Sequence, residues 1–325
     1  MIKNNFFYVE NLENVVFLGY IDIIEKLYRE NKKLKLNSYL ISTKDQIKSK
    51  KINVKHEISY NFNSKIRSNL KKKFDIKKTL FISFGCRYIF KKETIQNFFS
   101  GNLINFHGAR LPYDAGAGHW SWKILRGERI ANQLVHLIDK SIDKGPIIDY
   151  KTTIFPSSCR IPIEFDHYAN NNLLVFYKNF ISKIISGKKF QLKHQLDYLG
   201  TYYPRLNTEI NGWIDWNMKS YEIERFINAF DDPYSGSSTT INKQFVKIKR
   251  VQLSSGDTIN HPFMTGLIIR HHGDWIVVST RDKNVLLIEK VLNIKNQNII
   301  SKLKVGDRFF TSDIQLSKSK KDKVK

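Results

Sequence analysis

The stretch GNLINFHGARLPYDAGAGHWSWKILRG, residues 101–127, decides the fold. An apolar run ends in Asn-x-His. A loop of Gly, Pro, Asp and Tyr follows, and Trp, Ile and Leu then resume at helical spacing until Gly127. That is a strand, an irregular loop and a helix closed by glycine. Asn105 and His107 stand two apart at the strand's carboxyl end, so their side chains share a face. Open α/β sheets place ligands beyond that end of their strands.

The same alternation extends outward. NVVFLGY (14–20) and IDIIEKLYREN read as strand, turn and helix, and LNSYLIS (36–42) as a second strand. IRSNLKKKF suits a helix, KTLFISFG (78–85) a fully apolar strand, KKETIQNFF a helix and ANQLVHLID (131–139) a strand. Alternating strands and helices predict an α/β fold, a mostly parallel sheet with helices on both faces. No GxGxxG follows the first strand, so a dinucleotide site is disfavoured.

After about residue 150 the texture changes. EFDHYANNNLLVFYKNFISKIISGKK reads as one long amphipathic helix, and SYEIERFINAF as a short one with Ser220 as N-cap candidate. KQFVKIKRVQL, FMTGLIIRHHGDWIVVST and NVLLIEKVLN are apolar runs between turn residues and predict a smaller antiparallel β domain. The expected boundaries are 1–205 for a catalytic domain, 206–312 for the β domain with its connecting helix, and 313–325 for a basic tail.

Composition narrows the classes. The chain has 325 residues and two cysteines, Cys86 and Cys159, too far apart for a disulfide framework or a metal-type spacing. No apolar run reaches membrane-spanning length, and the N-terminus lacks a signal pattern, so a cytoplasmic protein is expected, with no membrane partner and no metal. The formal net charge is +24. Lys outnumbers Arg roughly three to one and the Lys runs are scattered, which reads as compositional bias rather than a surface for nucleic acid.

Asp143, in SIDKG after the next strand, joins Asn105 and His107 as a third candidate. An Asn amide donates to a developing oxyanion, a His relays a proton, and a carboxylate beside a His raises its pKa and sets its tautomer. Together they suit acyl transfer to an amine. A histidine at a strand end also serves as a hydrogen-bonded scaffold residue, and spacing does not separate the two. Trp120 and Trp122 lie two apart on a helix and do not share a face, so at most one lines a pocket. The reading leaves His119 and His136 open. It takes His271 and His272 as solvated turn residues, and Cys86 as packing.

NFHGARLP…G…SWKILRGE followed by LIDKSIDKGPII resembles the 10-formyltetrahydrofolate-dependent formyltransferases. The resemblance implies a Rossmann-like catalytic domain with Asn105, His107 and Asp143 as its triad, and an OB-like C-terminal domain. It implies a 10-formyltetrahydrofolate cosubstrate held along FISFGCRYIFKKE, by Gly85, Cys86, Arg87, Tyr88, Ile89 and Phe90. It is carried over about residues 14–290. HWSWKIL and YYPRLNTEINGWIDW are most similar to the sugar N-formyltransferases, which formylate an amino sugar on a dTDP, GDP or UDP carrier. Arg110 suits a phosphate contact and a solvated surface position equally, and Gly116 and Trp120 are the other candidate substrate contacts; the branch is compatible with a homodimer and implies no nucleic-acid partner and a place in lipopolysaccharide O-antigen or other cell-surface polysaccharide biosynthesis. Methionyl-tRNA formyltransferase is the alternative. Asp114, where a basic residue would suit a tRNA, argues against it. A non-catalytic RNA-binding relative is the second alternative, and the complete triad argues against that.

Overall fold

The computed structural model describes residues 2–3, 5–47, 54–59, 61–116, 120–256 and 259–321. The chain divides into two compact units. The first comprises 1–115, 130–154 and 169–201; the second comprises 116–129, 155–168 and 202–325.

The first unit is built on a seven-stranded sheet. Its strands are β1 (Asn14–Gly19), β2 (Asn37–Ser42), β3 (His56–Ile58), β4 (Thr79–Phe84), β5 (Leu103–His107), β6 (Ile130–Leu137) and β7 (Ile147–Ile154). The order is β7-β6-β5-β4-β1-β2-β3. Neighbours from β5 to β3 run parallel, while β6 and β7 are antiparallel. β1 and β4 are buried at every position, because parallel strands have both faces covered. Alternation splits their side chains between two cores. Val15 and Phe17 meet Leu27 of helix α1 (Ile24–Lys33) on one face; Val16 and Leu18 meet Ile66 and Leu70 of α2 (Ser64–Lys73) on the other.

Asn63 caps α2, its side-chain oxygen accepting from Ile66 N–H at 3.1 Å. KKETIQNFF is not a plain α-helix. It widens into a π turn over Ile95–Phe99 and stops at Ser100, which takes a left-handed conformation. The long helix, α4 (Pro162–Ile185), follows α3 (Trp120–Arg126). Tyr177 of α4 is fully buried, and its hydroxyl donates to Asn31 Oδ1 at 2.7 Å, so this polar group is not stranded in the core.

The second unit holds a six-stranded antiparallel sheet formed by β8 (Ser237–Ile241), β9 (Gln244–Ser255), β10 (Ile268–His272), β11 (Trp275–Ser279), β12 (Asn284–Leu292) and β13 (Phe309–Phe310), in the order β10-β11-β12-β9-β8-β13. Helix α5 (Ser220–Ala229) contributes Ile223 and Ile227 to its core. The N-cap of α5 is Lys219 rather than Ser220; the Glu222 carboxylate accepts the Lys219 N–H at 2.9 Å, and the Ser220 hydroxyl instead accepts from Asn284 at 3.0 Å. His271 and His272 end β10. His271 is half-buried, with its Nε2 3.0 Å from Ile300 O, while His272 is exposed as expected and stacks on Trp275. Residues 313–321 form helix α6, which buries Leu316, and Asn211 donates to Ser319 O at 2.8 Å. No helix among the described residues is long and apolar enough to cross a membrane.

Candidate active site

Sheet register assembles the candidate residues. Asn105 on β5 faces Ser83 on β4 and His136 on β6, and His107 faces Leu134. The loop after β6 brings round Asp143. That loop is tightly specified. Asp139 accepts the Ser141 N–H at 2.8 Å, and Asp143 sits at φ +57°, a left-handed conformation that few residues adopt. A Cβ on Gly145 would lie 1.8 Å from Leu137 O, so only glycine lets the loop pass so close to β6. Gln195 Nε2 donates to both Asp143 O and Gly145 O at 2.8 Å, and Lys193 exchanges two backbone hydrogen bonds with Ile147. The segment 193–195 thus straps the Asp143 loop in place.

These side chains surround a cavity of about 320 Å³ lined by Asn105, His107, His136 and Asp143. The segment Gly85–Phe90 after β4 supplies Gly85, Cys86, Tyr88, Ile89 and Phe90 to the same lining. Among the described residues, the N–H groups of Cys86, Arg87, Ile89 and Phe90 make no backbone hydrogen bond. Such groups seek partners in solvent or in a ligand. Arg87 pairs with Asp45 at 2.5 Å, and Tyr88 donates its hydroxyl to Ser59 O at 2.6 Å. Burial pushes the Cys86 thiol up to about 12, which disfavours the thiolate and suits a packing role.

His136, left open by sequence, belongs to the pocket. It is buried, and its Nδ1 lies 2.8 Å from Leu137 O. A carbonyl only accepts, so Nδ1 carries the proton. Burial, and then the neighbouring His107 ring, lower the His136 pKa to about 4. Nε2 of the neutral ring therefore accepts, and the group 3.1 Å away is the Asn105 amide, which must turn its N–H toward it. Asp143 Oδ1 stands 3.7 Å from the same Nε2, beyond hydrogen-bond reach, and its attraction is outweighed. His107 meets the His136 ring edge-on, with centroids 6.2 Å apart. One amide orientation, one neutral imidazole and one carboxylate thus face a common cavity.

Arg110, Gly116 and Trp120 are not among the described residues that line this cavity. Arg110 Nε stands 3.7 Å from Asp114 Oδ2, and Asp114 is fully buried. Asp114 therefore does not present an exposed negative charge, which removes the expectation that it repels a phosphate backbone. Gly116 and Trp120 fall in the second unit. Gly116 has φ +78°, and a Cβ there would meet the Tyr202 ring. Trp120 is buried against Phe155 and Phe165, so its position is that of a core residue. Trp122 is the more open of the pair, donating to Pro204 O at 2.8 Å. His119 lies outside the described residues. Gln195 carried no sequence signal, being an isolated amide far along the chain from the loop it holds.

Residues 207–303 match the formyl transferase C-terminal domain. The chain is 28% identical over 214 residues to a methionyl-tRNA formyltransferase from Mycoplasma capricolum, covering 63% of this chain and 66% of that one. It is 24% identical over 291 residues to the bifunctional polymyxin resistance protein ArnA of Wigglesworthia glossinidia, covering 84% of this chain and 41% of that one. The chain thus spans less than two thirds of either relative's length. Among solved structures, the Helicobacter canadensis N-formyltransferase in complex with folinic acid and dTDP-3-aminofucose superposes with a TM-score of 0.64 at 20% identity, covering 86% of this chain and 99% of that one.

Proposed function

We propose that this chain, a member of the formyltransferase family, transfers a formyl group from 10-formyltetrahydrofolate to the amine of a nucleotide-linked amino sugar. The observation that carries the reading is the gathering of Asn105, His107, His136 and Asp143 round one cavity whose other wall is the Gly85–Phe90 segment. The N–H groups of Cys86, Arg87, Ile89 and Phe90, which make no backbone hydrogen bond among the described residues, fit the polar edge of a pterin. The folate supplies an electrophilic formyl carbonyl. Asn105 holds one N–H on His136, leaving its second for the oxygen on which negative charge develops. Asp143 and His107 are placed to take the proton the amine sheds and to return it to N10 of the folate as the C–N10 bond breaks and tetrahydrofolate leaves.

Two features support the sugar as acceptor. The solved N-formyltransferase that superposes over 99% of its own length was crystallised with a dTDP-linked amino sugar. From Leu111 to Trp122 this chain holds no Lys or Arg to meet a nucleic acid after the Leu-Pro. The curated sequence relative named for methionyl-tRNA and the +24 net charge favour a tRNA acceptor as the second reading. A formyl-transfer assay decides between them. The protein is given 10-formyltetrahydrofolate and a panel of dTDP-, GDP- and UDP-linked amino sugars beside charged initiator tRNA. Turnover with at least one amino sugar and none with the tRNA is expected; the reverse pattern overturns the choice.

A further inference from the structure

A second, larger cavity of about 1040 Å³ lies on the first unit between α2 and the π-turn helix. It shares Tyr88, Ile89 and Phe90 with the candidate active site, so one stretch of chain walls both. Ile89, at this shared wall, is 85% exposed. Arg67, Lys71 and Lys91 line the cavity against a single lining acid, Glu93, and Arg87, also in the lining, is paired with Asp45. Its floor is aromatic, with Phe62 5.3 Å from Phe90 and 5.7 Å from Phe98 between ring centroids. The remaining lining is uncharged, including Asn61, Asn63 and Asn97.

The charge here is not the scattered excess of the rest of the chain. Between Ser64 and Lys92 there are ten Lys and Arg against one Asp. Less than a tenth of the sequence thus carries over a third of the net charge. Of these ten, Arg67, Lys71, Arg87 and Lys91 line the cavity, while Lys73 lies over the Tyr39 ring and Lys78 pairs with Glu13.

Resting on the folate reading above, we propose that this groove binds the acidic tail of the same folate, its glutamate extended as a γ-linked oligoglutamyl chain. Each added γ-glutamyl unit brings one carboxylate, and Arg67, Lys71 and Lys91 are placed to meet successive ones while methylene stems cover the Phe62 floor. The groove then selects the long-tailed form of the cosubstrate without touching the reacting atoms.

The test is calorimetric binding of mono-, tri- and pentaglutamyl 5-formyltetrahydrofolate to the full chain. Exposed ion pairs each contribute modestly, so the pentaglutamyl form is expected to bind about tenfold tighter than the monoglutamyl form at low salt. The gain should vanish at about 1 M salt, where the screening length is roughly 3 Å. In Arg67→Glu/Lys71→Glu, and separately in Lys91→Glu, the dependence on tail length should shrink while monoglutamyl affinity stays within about twofold. Equal affinity for all lengths in the wild type, or full length dependence in both variants, overturns the proposal and leaves the folate assignment standing. No binding of any form overturns the assignment itself. Should the variants fail to fold, the wild-type salt series decides alone.

Discussion

At Asn105 the chemistry depends on which way one amide points. Neutral His136 sets that direction by offering a lone pair. Asn105→Ala removes a donor to the developing oxyanion and is expected to lower kcat about 10²- to 10³-fold, with folate affinity by calorimetry changed only a few-fold. A change in KM alone would contradict the role. His136 also ties stability to pH. Its folded pKa, about 4, lies below the ordinary histidine value, so the unfolded chain binds the proton more readily. The linked stability is complete above about pH 6.5 and is lost as pH falls toward 4. Denaturant unfolding across that range should show the loss in the wild type and a flatter profile in His136→Asn. That Asn105 and His107 share a face at a strand end, with Asp143 in a loop beyond the next strand, was legible in sequence because strand ends are local signals. The state of His136 was not, since it depends on the hydrogen-bond partner that its buried Nδ1 finds. Asp114 misled for the same reason: a carboxylate in a loop reads as exposed until burial beside Arg110 is seen.

Among the elements, the strap at 193–195 is what holds the Asp143 loop in its left-handed turn. Gln195→Ala removes both amide bonds and leaves the carbonyls of Asp143 and Gly145 to water. Turnover should fall roughly tenfold with little change in KM, since small misplacement of a reacting group weakens the transition state more than binding. The protein should melt within a few degrees of wild type; unchanged kcat in a folded variant would remove the strap from the mechanism. A neutral control is Asn207→Ala, which strips the side-chain cap of the short helix Thr208–Asn211 in the second unit. It should cost about 1 kcal/mol in denaturant unfolding and leave kcat alone. Strands β1, β4 and β5 and helix α4 were legible because their periods are long and their apolar runs unbroken. The π turn at 95–99 and the strap were not. The first coincides with the burial of Phe98 and Phe99, which no local pattern marks, and the second pairs residues some fifty positions apart.

For the molecule as a whole, net charge and acceptor are separable by salt. An amino sugar on a nucleoside diphosphate offers two phosphates, so few cations are engaged and the acceptor KM should change only a few-fold between about 50 and 200 mM salt. A tRNA engages many Lys and releases as many counterions, so its affinity would fall by orders of magnitude over the same range. The +24 charge raises encounter rates with any anion and therefore does not discriminate by itself. The slope does. The amine must also arrive unprotonated, and with Asp143 and His107 accepting its proton the rate should rise with pH toward and above neutrality. Measuring kcat/KM for both acceptor classes across salt and pH places the two readings on one plot. A shallow salt slope with a rise toward alkaline pH on the amino sugar is the expected result. Steep salt sensitivity confined to charged tRNA, with no turnover of any amino sugar, would make the basic residues a nucleic-acid surface and transfer the triad to that substrate.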